Sequence, residues 1–246
     1  MEIDRSGVKA HAKQLIKDSD PKVLTASLIV MVLGALIALL SGRLVGITWQ
    51  EAARYLQYIQ DGNTEAAITI IVEHTPSAGA QLVNLLLEAL LIIVSLGFEI
   101  FLLNTLRGTT PELGNLLDGF SYWWKLLVMD FVIGLFVFLW SLLLIVPGIV
   151  AAYRYSMANY VLITHPDFGI MECIRESKRL TKGWKGTLFV LDLSFFGWML
   201  LSMVPVVGWL ISVWVTPYRG LTFLEYYEQI SGYTAPAQND GEPWAV

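Results

Sequence analysis

The sequence predicts an all-α fold, a polytopic integral membrane bundle of six transmembrane helices flanked by interfacial amphipathic helices. Residues 23–42 run for twenty positions without a charge, the length an α-helix needs to cross about 30 Å of hydrocarbon. Composition agrees: 55% of residues are hydrophobic, 15% are charged and mean hydropathy is +0.59, against about 25% charged in an ordinary soluble domain. The cations fall into two clusters, and their placement sets how often the chain crosses between them.

At 246 residues the chain suits one compact bundle, with too little polar sequence left for a separate catalytic domain. The net charge of −5 identifies no partner, because the charges are segregated along the chain. A single cysteine, Cys173, excludes an intramolecular disulfide framework and a multi-cysteine metal site. Its place on an apolar helical stripe makes it a packing residue rather than a reactive thiol.

The N-terminal segment 1–22 is an amphipathic helix. Val8, Ala12, Leu15 and Ile16 follow helical spacing, Lys9, Lys13 and Lys17 occupy the adjoining face, and Pro21 stops the helix. Such a basic helix is expected in the headgroup region. It lacks the apolar core and cleavage site of a secretory signal, so the first span is expected to be a retained anchor.

The second span covers 81–104, after a polar outer loop, 43–79, in which Thr48 and Glu51 have capping-box spacing and a short helix ends at Asp61-Gly62. A connector with Pro111, Gly114 and Gly119 ends in Tyr122-Trp123-Trp124, an aromatic cluster suited to the interface. The third span, 126–146, stops at Pro147-Gly148, the tip of a tight hairpin.

The stretch 149–164 is short and contains Arg154, yet parity requires it as a fourth span. Arg5, Lys9, Lys13, Lys17 and Lys22 precede the first span; Arg175, Lys178, Arg179, Lys182 and Lys185 follow the fourth. The positive-inside rule wants both groups cytoplasmic, so an even number of crossings separates them. Spans 186–204 and 207–224 complete six, with Pro217 inside the last, a position that frees the Val213 carbonyl. Both termini are then cytoplasmic, and the Gly-, Pro-, Asn- and Asp-containing tail 231–246 is expected to be disordered.

Between the fourth and fifth spans, 167–183 reads as a cytoplasmic amphipathic helix with Asp167 as N-cap and Gly183 at its C-terminal end. Ile170, Cys173, Ile174, Ser177 and Leu180 share one face, opposite Glu172, Arg175, Glu176, Lys178, Arg179 and Lys182. Arg175, Lys178, Arg179 and Lys182 are candidate contacts to anionic lipid headgroups; the alternative is a plain solvated face.

The ionisable groups inside the spans are the candidate functional residues, because charge at membrane depth is costly and is usually paired or wet. Asn84, Glu88, Ser95 and Glu99 form one polar stripe on the second span, joined by Asp130, Arg154 and Asp192 on others. Two readings stay open: a proton or solute path, or interhelical hydrogen bonds that fix packing. Depth along the helices suggests Glu88 as partner for Arg154, with Asp130 second because its span is the hairpin neighbour. His11, His74 and His165 sit in three separate segments, and no glycine-rich phosphate loop occurs, so neither metal nor nucleotide chemistry is expected. Expected partners are the bilayer and its anionic lipids; nothing points to nucleic acid, a cofactor or an enzyme.

A family resemblance rests on Pro147-Gly148-Ile149, Tyr155-Ser156-Met157-Ala158, His165-Pro166-Asp167 and the run Ile174 to Gly183. Further matches are Leu113 to Phe120, Leu193 to Trp198, Pro217-Tyr218 and Phe223 to Tyr227. Together they resemble the bacterial family called domain of unknown function 975. That resemblance implies a small bacterial inner-membrane protein whose family has no assigned reaction. Arg219 and the long acidic outer loop depart from the pattern. The run Ser177 to Gly183 also resembles membrane domains attached to some glycerophosphodiester phosphodiesterases, without their catalytic barrel.

The leading functional expectation is a non-enzymatic structural, assembly or regulatory membrane component. The alternative is a small-solute or proton-coupled permease using the intramembrane acids.

Overall fold

In the computed structural model, residues 3–19, 22–45, 49–73, 75–202, 204 and 207–232 are described, and they hold helices and no strand. Three helical stretches, Lys22–Leu44, Ala78–Leu106 and Leu113–Leu143, are long and apolar enough to cross a membrane. A fourth would be the pair Lys185–Leu193 and Phe196–Ser202, bent by 42°. The expected spans 149–164 and 207–224 do not pass as such. The first is broken into two helices too short to cross, and the second has its apolar run interrupted by Thr216, Pro217 and Arg219.

Two compact units divide the chain. Unit 2 is Ile29–Ile92 and unit 1 is Met1–Leu28 with Ile93–Val246.

In unit 2, α2 (Lys22–Val45) continues from unit 1, and α3 (Trp49–Gln60) and α4 (Thr64–Glu73) pack on each other. The turn between them places Gly62 at φ +70, which a residue without Cβ adopts freely. The helix ending before Asp61-Gly62 is as expected, whereas α4 was hidden inside a loop read as polar; Thr48 lies outside the described residues. The side chain of Asn63 caps α4, accepting from Ala66 N–H at 3.2 Å.

Unit 1 is built on α1 (Arg5–Asp18), the lower part of α5 (Ala78–Leu106), α6 (Trp123–Leu143), α7 (Ile145–Tyr155), α8 (Ala158–Thr164), α9 (Ile170–Leu180), α10 (Lys185–Leu193), α11 (Phe196–Ser202) and α12 (Val207–Ser231). The apolar stripe of α1 is spent on protein: Val8, Ala12 and Ile16 are buried and α1 packs along α12. Lys13 and Lys17 stay exposed, and Lys9 is half-buried. Pro21 lies outside the described residues, as does the tail beyond residue 232.

The connector becomes a 3₁₀ segment, Leu113–Tyr122, laid against α5. A Cβ on Gly97 would stand 2.2 Å from the Leu116 carbonyl oxygen, and one on Gly119 2.1 Å from that of Ile93. Only two glycines let these backbones meet.

The hairpin after α6 turns at Leu144, which is extended, and not at Pro147-Gly148. Pro147 falls in the first turn of α7, where its missing N–H removes no helical hydrogen bond. In α9 the start also shifts: Glu172 Oε2 accepts from Gly169 N–H at 2.7 Å, so Asp167 is not the N-cap. Cys173, Ile174, Ser177 and Leu180 are buried as the periodicity predicts, and Gly183 follows the helix at φ +90.

Candidate functional site

The polar groups of unit 1 gather where two helical runs are interrupted. Helix α7 ends at Tyr155 because the backbone departs from the helical ladder at Ser156-Met157 before α8 resumes. The freed groups are satisfied by α9. Ser177 Oγ donates to the Arg154 carbonyl at 3.1 Å and accepts from Met157 N–H at 3.2 Å, while Thr181 Oγ1 donates to the same carbonyl at 3.2 Å. Ser177 and Thr181 are fully buried, so each of these bonds replaces one that water cannot supply.

A second interruption separates α10 from α11. Ser194 Oγ is held by Lys9 Nζ of α1, and the same ammonium lies 4.5 Å from the centre of the Phe195 ring. Lys13 lies 5.4 Å from the ring centre of Tyr218 on α12. These are cation–π contacts at partly open positions. His11 Nδ1 lies 3.0 Å from Glu225 Oε2.

Between the two interruptions sits a charged cluster. Arg219 donates through Nε and Nη2 to Asp192 Oδ1, at 3.1 and 2.9 Å, and Tyr153 O–H donates to Asp192 Oδ2 at 2.9 Å. Glu99 is within electrostatic reach of Asp130 and Arg219, and part of its side chain reaches the surface. Its Oε2 is nonetheless covered and meets no hydrogen-bond partner; the same is true of Arg154 Nε. At the far ends of α5 and α12, Arg107 Nε donates to Glu228 at 2.8 Å with both side chains largely covered.

The candidate residues thus separate. Asp192 is paired, with Arg219 and Tyr153, which sequence reasoning missed. Ser95 is exposed. In unit 2, Glu88 is exposed and Asn84 Nδ2 donates to its Oε1 at 3.3 Å. On α9, Arg175, Lys178, Arg179 and Lys182 are exposed as expected, but Arg179 is bound bidentately to Glu176 at 2.8 and 2.5 Å. Among the described residues no group of three or more His, Cys, Asp or Glu forms that could hold a metal ion. Arg219 had one readable signal, a lone cation in the sixth apolar segment. Ser177 and Thr181 gave none, because their partners are backbone atoms.

Residues 142–234 match the family model described as Protein of unknown function (DUF975). Over this stretch, less than half of its length, the chain is similar to DUF975. No curated protein and no solved structure matches, and the likeness to glycerophosphodiester phosphodiesterase membrane domains finds no support. The matched segment contains Tyr153, Arg154, Ser177, Thr181, Asp192 and Arg219, hence both interruptions and the charged pair. Glu99 and Asp130 lie before it.

Proposed function

We propose that the protein is a non-enzymatic membrane component, structural or regulatory, that acts through lipid and protein contacts in a bacterial inner membrane. The observation that carries this reading is the state of its charges. Asp192, Arg219, Arg107 and Glu228 are spent on one another and on Tyr153, holding helices together rather than lining a path. Positive-inside reasoning adds the orientation: both termini and α9 cytoplasmic, with α3 and α4 outside. Six crossings satisfy it, as does any even number between the two basic clusters. The exposed Arg175, Lys178 and Lys182 on α9, with Arg179, supply a surface for anionic headgroups, each cation adding about 1 kcal/mol near an anionic leaflet.

A permease is the second reading, favoured by the covered and unpartnered Glu99 Oε2 and Arg154 Nε. Proteoliposomes carrying a trapped pH dye distinguish the two. The structural reading expects wild type and Glu99→Gln to leak protons equally under an imposed gradient. A flux that Glu99→Gln abolishes would replace it with the permease.

A further inference from the structure

The lysines of α1 fix a level in the fold. Lys9, half-buried, meets Ser194 and Phe195, and Lys13, exposed, meets Tyr218. Beside them the Asp192–Arg219 pair keeps 32% and 53% of its side chains exposed. If α10–α11 and α12 each crossed the whole bilayer, these charges would sit well inside a span and face hydrocarbon, where they are costly. They are placed naturally at the cytoplasmic headgroups.

Helix lengths beyond that level then differ. On α2, residues 25–45 rise about 31 Å, and on α5, residues 78–98 before Glu99 rise about 31 Å, each a full hydrocarbon thickness. On α11, residues 196–202 rise about 10 Å, and on α12, residues 207–218 before Arg219 about 18 Å. The α6–α7 arms, 131–143 beyond Asp130 and 145–153 before Arg154, rise about 20 and 14 Å. These hairpins are too short to emerge.

The tips carry an independent sign. Leu142, Leu143, Leu144, Ile145 and Val146 are 69–77% exposed at the turn itself. The second tip presents Leu201, Val204, Val207 and Leu210, all exposed. A turn that surfaced into water would be built from polar and turn-forming residues. Exposed apolar turns of this size need lipid around them.

We infer that α2 and α5 alone cross the membrane, while the α6–α7 and α11–α12 hairpins are re-entrant, dipping into the cytoplasmic leaflet and ending in its hydrocarbon. The inference rests on the membrane reading above and keeps its orientation, since two crossings have the same parity as six. It gives the two apolar tips acyl chains as their partner.

The test uses full-length protein with Cys173→Ser and one new cysteine: Leu144→Cys, Val204→Cys, or Leu56→Cys on α3. In intact cells an impermeant maleimide is expected to label Leu56→Cys and neither tip, and inverted vesicles should also leave both tips unlabelled. A fluorophore on either tip, in proteoliposomes, is expected to be quenched most by a lipid spin label near the acyl terminus. Outer-face labelling of the tips, inner-face labelling, or strongest quenching from the headgroup would overturn the re-entrant hairpins. Failure of Leu56→Cys alone to label from outside would instead sink the orientation, leaving the quenching result to judge the hairpins.

Discussion

Ser177 and Arg154 are joined across 23 residues of sequence by a hydroxyl that donates to a main-chain carbonyl at 3.1 Å, where α7 stops. Helix α9 is thereby a plug for a broken apolar helix. Ser177→Ala removes a buried donor and acceptor at once and strands Met157 N–H, so the expected loss is about 1–3 kcal/mol. Thr181→Val should add to it less than independently, because Thr181 bonds the same carbonyl. Unfolding in detergent measures both, with Lys178→Ala on the exposed face as a near-neutral control. Equal stability of Ser177→Ala and wild type would remove α9 as a plug.

Asp192 and Arg219 present a different energetic case. The pair is part-exposed, so screening by solvent limits its coupling to about 1 kcal/mol or less. Asp192→Asn should cost more than Arg219→Gln, because it also weakens the acceptor for Tyr153 O–H. A double-mutant cycle at low and high salt should show coupling that shrinks with salt. Additive losses at both salt levels would mean the two side chains meet without stabilising each other.

His165 gives the fold a pH dependence of predictable sign. Burial holds its imidazole below the usual histidine range, with Arg107 adding to the effect and Glu176 opposing it. The unfolded chain therefore binds the proton more readily. Stability is full above the ordinary value of about 6.5 and declines as pH falls from there through the lowered folded value. Unfolding followed across that window should flatten in His165→Gln. A profile that is unchanged in the variant would assign the slope to other groups.

Much of the fold was legible because apolar periodicity is a local signal. The stripes of α1 and α9, the long apolar runs of α2 and α5, and Gly183 as a helix terminator all read directly from spacing. What was not legible is set by contacts distant in sequence. Depth along each helix was counted from assumed span ends, so the Asp192–Arg219 pair, 27 residues apart, was missed. Pro147 was read as the turn because proline usually marks one, yet it sits equally well in a first helical turn. The face of α1 was legible, while its partner was not: amphipathicity says that a stripe is covered, and here α12 covers it rather than lipid.

Cys173 illustrates how burial governs chemistry on α9. Burial pushes its thiol above the ordinary range, outweighing the lowering effect of Lys125, so little thiolate forms at neutral pH. Native protein should react with a maleimide far more slowly than detergent-unfolded protein, and Ser177→Ala should accelerate the reaction if it loosens α9. Fast labelling of the native wild type would contradict the packing seen here.

The close approach of Gly97 and Gly119 predicts the steepest response to the smallest substitution. A methyl group on Gly97 would stand 2.2 Å from the Leu116 carbonyl oxygen and 2.9 Å from that of Asn115, contacts that only a shift of backbone can relieve. Overpacking of this kind costs about 1–3 kcal/mol, more where main chain must move. Gly134 on α6 is the control, since a Cβ there meets nothing within 4 Å. In that open helical position alanine should stabilise by up to about 1 kcal/mol through backbone entropy alone. Gly97→Ala and Gly119→Ala should therefore lower the unfolding midpoint while Gly134→Ala holds or raises it. Opposite signs from the same chemical change would tie the loss to the contact between α5 and the 3₁₀ segment. Three substitutions that shift the midpoint alike would show that this contact is not what positions the connector.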